Sequence, residues 1–259
     1  MHGVGAGVIG PETSSAREVL ISTSIQSADQ ARLAEAVDAV GTSDRIHLDV
    51  MDNHFVPRIT GGLAVAAALV RHGALPLDCH LQIADPDRWA PAYAEAGARA
   101  VSFHAEASRT PVTTLRSLRA AGAEAGLALN PSTPVDAYAH LLGEADTLLL
   151  LAVEPTAYGS EPLIDLVLPQ VRRARQWADD HHPRLRVQID GGVSEETVER
   201  CAEAGADVFT PGLSVFTAAD PAAAVTALRE RAERGLVRGS RAGGSLASGR
   251  GESVRTRAK

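Results

Sequence analysis

Two short runs set an imidazole and a polar partner at alternate positions, His47-Leu48-Asp49-Val50-Met51-Asp52 and His80-Leu81-Gln82-Ile83, and a third, Ile189-Asp190-Gly191-Gly192, lies far downstream. In a strand, residues i and i+2 share a face, so His47, Asp49 and Met51 point one way while Ile46, Leu48 and Val50 point the other. Around His80 the apolar side is Cys79, Leu81 and Ile83. If the three strand ends converge, two imidazoles and two carboxylates meet at one point, a set that suits a borderline divalent metal such as zinc. Singly, each residue also has a structural reading: a polar side chain satisfied inside a barrel for the histidines, a cap for Asp49, a loop cap for Asp190 before Gly-Gly. The four together carry the chemical reading.

Two aspartates from different strands could also flank one carbon atom from its two sides. The hydrogen beside a ketone is weakly acidic, but a divalent cation chelated by the carbonyl and the adjacent hydroxyl stabilises the enediolate left on its removal. One carboxylate takes the proton from one face, the other returns a proton to the opposite face, and the carbon is inverted.

Such a meeting needs a scaffold that gathers strand ends. Periodicity and turn residues predict strands over 19–25, 45–51, 77–83, 100–106, 126–130, 147–153, 185–190 and 208–213. Each is followed by a helix, over 30–40, 62–72, 86–96, 111–121, 135–142, 163–179, 195–204 and 221–234, with Asp29 and Asp85-Pro86 among the start signals. Eight such pairs at roughly 25-residue spacing fit a single (β/α)8 TIM barrel, whose active site lies at the carboxyl ends of the strands. No G-x-G-x-x-G follows the first strand, which argues against a dinucleotide fold. Asp49, His80, Glu106, Asn130 and Asp190 all fall at or near strand ends. Ser102, His104 and Glu106 share a face of the fourth strand, where His104 and Glu106 are expected to stand behind the ligands rather than among them. Residues 1–16, rich in glycine, read as a flexible lead-in, 17–234 as the barrel, and 235–259 as a disordered basic tail.

Composition narrows the chemistry further. Aromatics are 3% of the 259 residues, so the core must be built from Ala, Val, Leu and Ile. The net charge is −7 although the tail from Gly235 holds six basic residues against one acid, so the body is acidic and nucleic acid is a poor ligand for it. The single lysine is Lys259, in that tail, which leaves the body without an ammonium group for Schiff-base chemistry. No apolar run is long enough to span a membrane and no secretory signal is apparent, so a cytoplasmic location is expected. Cys79 and Cys201 lack metal or disulfide spacing and read as buried apolar residues.

The runs Ser24-Ile25, Ser27-Ala28-Asp29, His47-Leu48-Asp49-Val50-Met51-Asp52, His54-Phe55-Val56-Pro57, His80-Leu81, Leu129-Asn130-Pro131, Thr133-Pro134 and Asp190-Gly191-Gly192-Val193 resemble those of the ribulose-phosphate 3-epimerases. The resemblance implies a metal-dependent epimerase that inverts C3 of D-ribulose 5-phosphate to give D-xylulose 5-phosphate. It implies one divalent ion per chain, zinc or else iron, manganese or cobalt, held by His47, Asp49, His80 and Asp190, with Asp49 and Asp190 as acid and base. It also implies that Ser24, His80 and Met51 contact the substrate and that the chain forms a homo-oligomer. Several positions depart from the family pattern. Gln82 and Leu151 stand where the family usually has methionine, and Glu154-Pro155-Thr156-Ala157-Tyr158-Gly159-Ser160 replaces a glycine-rich Asn-Pro-Gly-Phe-Gly-Gly-Gln loop. Gly212-Leu213 replaces Gly-Ser, which removes a hydroxyl donor, while Gly191, Gly192 and Gly212 still permit a phosphate site after strands seven and eight. Two alternatives follow: a paralogue acting on a different ketose or ketose phosphate, and a non-catalytic sugar-phosphate-binding barrel.

Overall fold

The computed structural model describes residues 17–156 and 161–248, with the side chains of 241–248 left out; the expected lead-in and the last part of the expected tail lie outside this range. Eight strands, β1 (Leu20–Ser24), β2 (Arg45–Met51), β3 (Leu77–Gln82), β4 (Ala100–His104), β5 (Glu124–Leu129), β6 (Thr147–Leu151), β7 (Arg186–Asp190) and β8 (Val208–Thr210), close into a parallel barrel in sequence order. Helices α1 (Leu33–Ala39), α2 (Leu63–His72), α3 (Pro86–Glu95), α4 (Pro111–Ala120), α5 (Val135–Tyr138), α6 (Ile164–His181), α7 (Val198–Ala204), α8 (Leu213–Phe216) and α9 (Pro221–Ser248) complete the (β/α)8 barrel.

Alternation along each strand separates two cores. Outward residues such as Ile46, Leu48, Val50, Cys79, Leu81, Val101, Phe103, Val187 and Ile189 are buried against the helices. Helix α6 meets them with Ile164, Val167, Leu168, Val171, Ala174 and Ala178, the three- and four-residue spacing of one helical face. Inside the barrel the wall is divided. β5 and β6 contribute a small apolar group, Ala128, Leu149 and Leu151 with Val153, whereas His47, Asp49, Asp78, His80, Gln82, Ser102, His104, Gln188 and Asp190 are buried polar residues of β2, β3, β4 and β7. Gly126 marks the boundary: a Cβ there would sit 1.9 Å from Ser102 Oγ, so β5 can lie beside β4 only without a side chain at that position.

Several element ends differ by a few residues from those expected, and three of the differences have a visible cause. Ser24 Oγ caps a 3-10 turn over Ile25–Ser27, Asp29 accepts from Ala31 N–H, and α1 starts three residues later than expected. β4 stops at His104 and turns through Ala105–Ala107, because Glu106 accepts a hydrogen bond from the Asn130 backbone N–H instead of continuing the ladder. The last helix runs to Ser248 instead of ending near Arg234. Its Gly235 and Gly239 face the Glu199 and Glu203 carbonyls of α7 so closely that a Cβ would lie 2.2 and 2.5 Å from them, and Arg238 pairs with Glu199 at 2.6 Å. The glycines that weaken this stretch as an isolated helix let it pack. Among the described residues no helix is long and apolar enough to cross a membrane.

Candidate metal centre

The register of the barrel gathers the four expected ligands at the carboxyl-end part of β2, β3 and β7. Asp49 pairs with His80 across β2 and β3, Asp190 sits beside Leu151 at the end of β7, and His47 lies one inward position below Asp49. One donor atom from each of His47, Asp49, His80 and Asp190 falls within 4.8 Å of all the others. His47 Nε2 stands 3.6 Å from both Asp49 Oδ1 and Asp190 Oδ2, and His80 Nδ1 stands 3.4 and 3.1 Å from the same two oxygens. Four donors about 2.0–2.1 Å from a tetrahedral zinc would be separated by about 3.4 Å; the four histidine–aspartate separations, 3.1–3.6 Å, are close to that, and the remaining pairs lie within 4.8 Å.

The orientation of His47 fits too. Its Nδ1 lies 2.9 Å from Asp78 Oδ2, which also accepts from Ser22 Oγ and Gln188 Nε2 at 2.9 and 3.0 Å. An acceptor on Nδ1 puts the ring proton there and leaves a lone pair on Nε2, a buried atom with no hydrogen-bond partner. Histidine held by a carboxylate on one nitrogen and open on the other is the usual arrangement of a metal ligand. Asp78 is therefore part of the site although the sequence reading passed over it. Its position two residues before His80, on the same face of β3, was the available signal.

Electrostatics agree. Burial works against every charge in the quartet, yet the facing groups outweigh it: His47 is held well above the ordinary histidine value by Asp78, Asp49 and Asp190, and His80 is raised by Asp190 and Asp49. Asp49 falls below the usual carboxylate range beside His47 and His80. Burial and the charge of Asp49 push Asp190 up, but the two rings bring it down as well. Asp78, also buried, is lowered to about 2, chiefly by His47. Such a cluster draws positive charge, and a dication would replace the ring protons.

The sequence model of the ribulose-phosphate 3 epimerase family matches residues 20–216. The chain belongs to this family. The ribulose-phosphate 3-epimerases of Mycobacterium bovis and Mycobacterium tuberculosis are 50% identical to it over 213 residues, covering 82% of this chain and 93% of theirs. That of Bacillus subtilis is 39% identical over 214 residues, 82% of this chain and 98% of its own. Among solved structures, 3-hexulose-6-phosphate synthase from Salmonella typhimurium superposes with a TM-score of 0.61 at 21% identity, over 84% of this chain and 100% of that one. Orotidine 5'-phosphate decarboxylase from Pyrococcus horikoshii gives 0.56 at 16% identity, over 83% and 99%. These two share the fold alone.

Gln82 acts directly on the quartet. Its Nε2 donates to Asp49 Oδ1 at 2.9 Å, while Ser24 Oγ donates to Asp49 Oδ2 at 2.8 Å, so both oxygens of that carboxylate have a donor. Met51 pairs with Gln82 at the strand ends and is half-buried. At the rim, Gly191 and Gly192 adopt φ of +92° and +68°, and a Cβ on Gly192 would strike Pro162 at 2.3 Å. Gly212 packs on Ser24 and Ser27. Leu213 opens α8 with 67% of its surface exposed, and the Ser214 hydroxyl next to it donates to the Val193 carbonyl at 2.7 Å. Glu154 is exposed, and residues 157–160 of the altered loop lie outside the described residues.

Proposed function

We propose that the chain inverts C3 of D-ribulose 5-phosphate to give D-xylulose 5-phosphate, with Asp49 and Asp190 as acid and base. His47, Asp49, His80 and Asp190 hold one divalent cation. Its donor set suits zinc, and iron, manganese or cobalt are compatible. The observation that carries the reading is the buried quartet with its unpartnered His47 Nε2, in a chain of this family. A divalent cation at this position supplies the positive charge that stabilises an enediolate.

The protein's own groups account for the rest. Asp49 and Asp190 keep 6% and 7% of their surface open while both histidines keep 0%, so the carboxylates are the members of the quartet that face the barrel mouth. One carboxylate removes the C3 proton, and the electron pair of the broken C–H bond moves toward the C2 oxygen. The other, carrying a proton, returns it to C3 from the opposite face, and the ketone re-forms with C3 inverted. Donors on both oxygens of Asp49 fix its plane, so a substrate carbon meets it in one orientation. Gly191, with φ of +92°, turns the chain directly after Asp190, a conformation that favours glycine.

Conversion in deuterated water tests this. One deuterium should enter C3 of the xylulose 5-phosphate formed, with one bound divalent ion per chain; metal-loaded protein that leaves C3–H untouched would refute the reading. Leu213 and Glu154 favour a second reading, epimerisation of a different ketose or ketose phosphate, and the same labelling run over a ketose panel separates the two. Binding without exchange for every sugar tried would point instead to a non-catalytic barrel. We also propose that the protein is a cytoplasmic homo-oligomer, with mass in solution as the check on assembly.

A further inference from the structure

His80 turns Nδ1 to the quartet, which leaves Nε2 on the far side of a fully buried ring. That nitrogen lies 3.0 Å from His104 Nε2, and the two rings stack with centroids 5.0 Å apart. Two ring nitrogens approach this closely only when one carries a proton and the other a lone pair. His104 is itself fully buried, with Phe55 against its ring at 4.8 Å, and its Nδ1 lies 3.3 Å from Glu106 Oε2. The other Glu106 oxygen accepts from the Asn130 backbone N–H at 2.8 Å.

The polarity of this chain is set at its far end. A carboxylate offers only acceptors, so His104 must carry its proton on Nδ1 and present a lone pair at Nε2. His80 must then donate from Nε2, which puts its own lone pair on Nδ1, the atom facing the quartet. Without that bias the ring is contested, because Asp190 and Asp49 at 3.1 and 3.4 Å both attract a proton to the same Nδ1. Gln82 Nε2, 3.4 Å from Nδ1, is a donor and favours the lone pair there too.

We propose that His104 and Glu106 are positioning residues of the metal centre, which lock His80 in the tautomer that aims an Nδ1 lone pair at the cation. His47 is fixed by one carboxylate in direct contact, Asp78, whereas His80 is fixed by a carboxylate acting through an intervening imidazole. The proposal rests on the metal reading of the quartet, so its test begins by measuring zinc binding to the wild-type protein.

Glu106→Gln is the informative change, because an amide has one acceptor oxygen where the carboxylate serves His104 Nδ1–H, the Asn130 N–H and the Thr133 side chain. If the oxygen stays with Asn130, the amide N–H faces His104, reverses both imidazoles and puts a proton on His80 Nδ1. Zinc affinity, read by competition with a chromophoric chelator, should fall about 10- to 100-fold, the usual cost of losing a partner behind a metal ligand. The melting temperature of the metal-stripped protein should stay close to wild type, and Glu106→Asp, which keeps two acceptors, should recover part of the affinity. Nitrogen-15 shifts of labelled histidines in the zinc-loaded wild-type protein should place the His104 proton on Nδ1, a readout that needs no variant to fold. Unchanged affinity in Glu106→Gln, or a proton on His104 Nε2 in the loaded wild-type protein, overturns the proposal. A wild-type protein that binds no divalent ion overturns the metal reading itself.

Discussion

Around Asp49 each polar atom is spoken for by a residue on another strand: Ser24 from β1 on one oxygen, Gln82 from β3 on the other, with His47 steadied from below by Asp78. Around Gly192 and Leu213 the chain is held differently, by left-handed backbone at two glycines, by Pro162 lying over one of them, and by a serine hydroxyl spent on a carbonyl. The centre is determined by side chains that fix one another, so a change in any one leaves a buried partner unmet. The rim is determined by backbone shape, so its side chains can change without disturbing the barrel. This difference lets residues at the rim change while the quartet stays in place.

The largest effect that would break this comparison belongs to Asp190→Asn. An amide cannot take or return the C3 proton, so turnover should fall by about 10³- to 10⁴-fold, at the upper end of what general acid–base groups contribute. Loss of conversion is the accompanying readout, and deuterium exchange confined to the epimer whose C3–H faces Asp49 agrees with it. A variant within tenfold of wild type would show that the centre does not supply the acid and base.

His47→Ala should damage both metal binding and folding. It removes one ligand and leaves Asp78, lowered to about 2 and buried, without the ring that compensates its charge. Breaking a buried pair by deleting one member costs about 3–5 kcal/mol, so a clear drop in melting temperature of the metal-stripped protein is expected, along with loss of bound metal by elemental analysis. Leu213→Ala at the rim should leave that melting temperature within a degree or two, since the side chain is 67% exposed.

The pH dependence sharpens the contrast, because it runs in opposite directions with and without metal. His47 and His80 have raised values in the folded protein, so the attraction between the rings and the aspartates is fully present below the unfolded histidine value of about 6.5 and is lost as pH rises through the folded values. Metal-stripped protein should therefore lose stability as pH climbs above about 6.5. Zinc must displace those same protons, so its affinity should rise over that window and fall by up to about 100-fold per unit below it, two protons being released. Melting curves and chelator competition across pH check both slopes.

Much of the centre was legible because β2 and β3 alternate cleanly: His47, Asp49, His80 and their outward neighbours can be assigned to faces from spacing alone. Asp78 obeys the same alternation, and it was missed because an acid two residues before a candidate ligand does not announce which ring it will meet across strands. Glu106 was placed on the right face for a different reason than the structure gives, since it arrives through a turn after His104 rather than by strand alternation. In β6 both faces are leucine, so the sequence does not tell that Leu149 and Leu151 line the barrel while Leu148 and Leu150 face the helices. The extension of α9 was hidden by its glycines, whose role depends on the α7 carbonyls they approach. Alternation assigns a residue to a face, but which side chain it meets on the next strand depends on the register: Asp78 pairs with His47 directly across β2 and β3, and spacing within one strand does not reveal that partner.

Gln82→Met carries the smallest expected effect and probes the border between the two regions, because this side chain ends a strand of the centre yet stands at the mouth. Its amide donates to Asp49 Oδ1, a hydrogen bond that favours the charged carboxylate. Methionine keeps about the same length and removes that donor, so Asp49 should become slightly more basic. The acid limb of the kcat profile for the epimerisation should move upward by less than about one pH unit, with metal content unchanged, since the four ligands remain. A shift of that sign assigns Gln82 to the centre, as a residue that trims the basicity of Asp49. An unmoved acid limb with an altered preference among ketoses in the same assay would assign it to the rim, and the line between fixed chemistry and adjustable specificity would then run below Gln82 rather than above it.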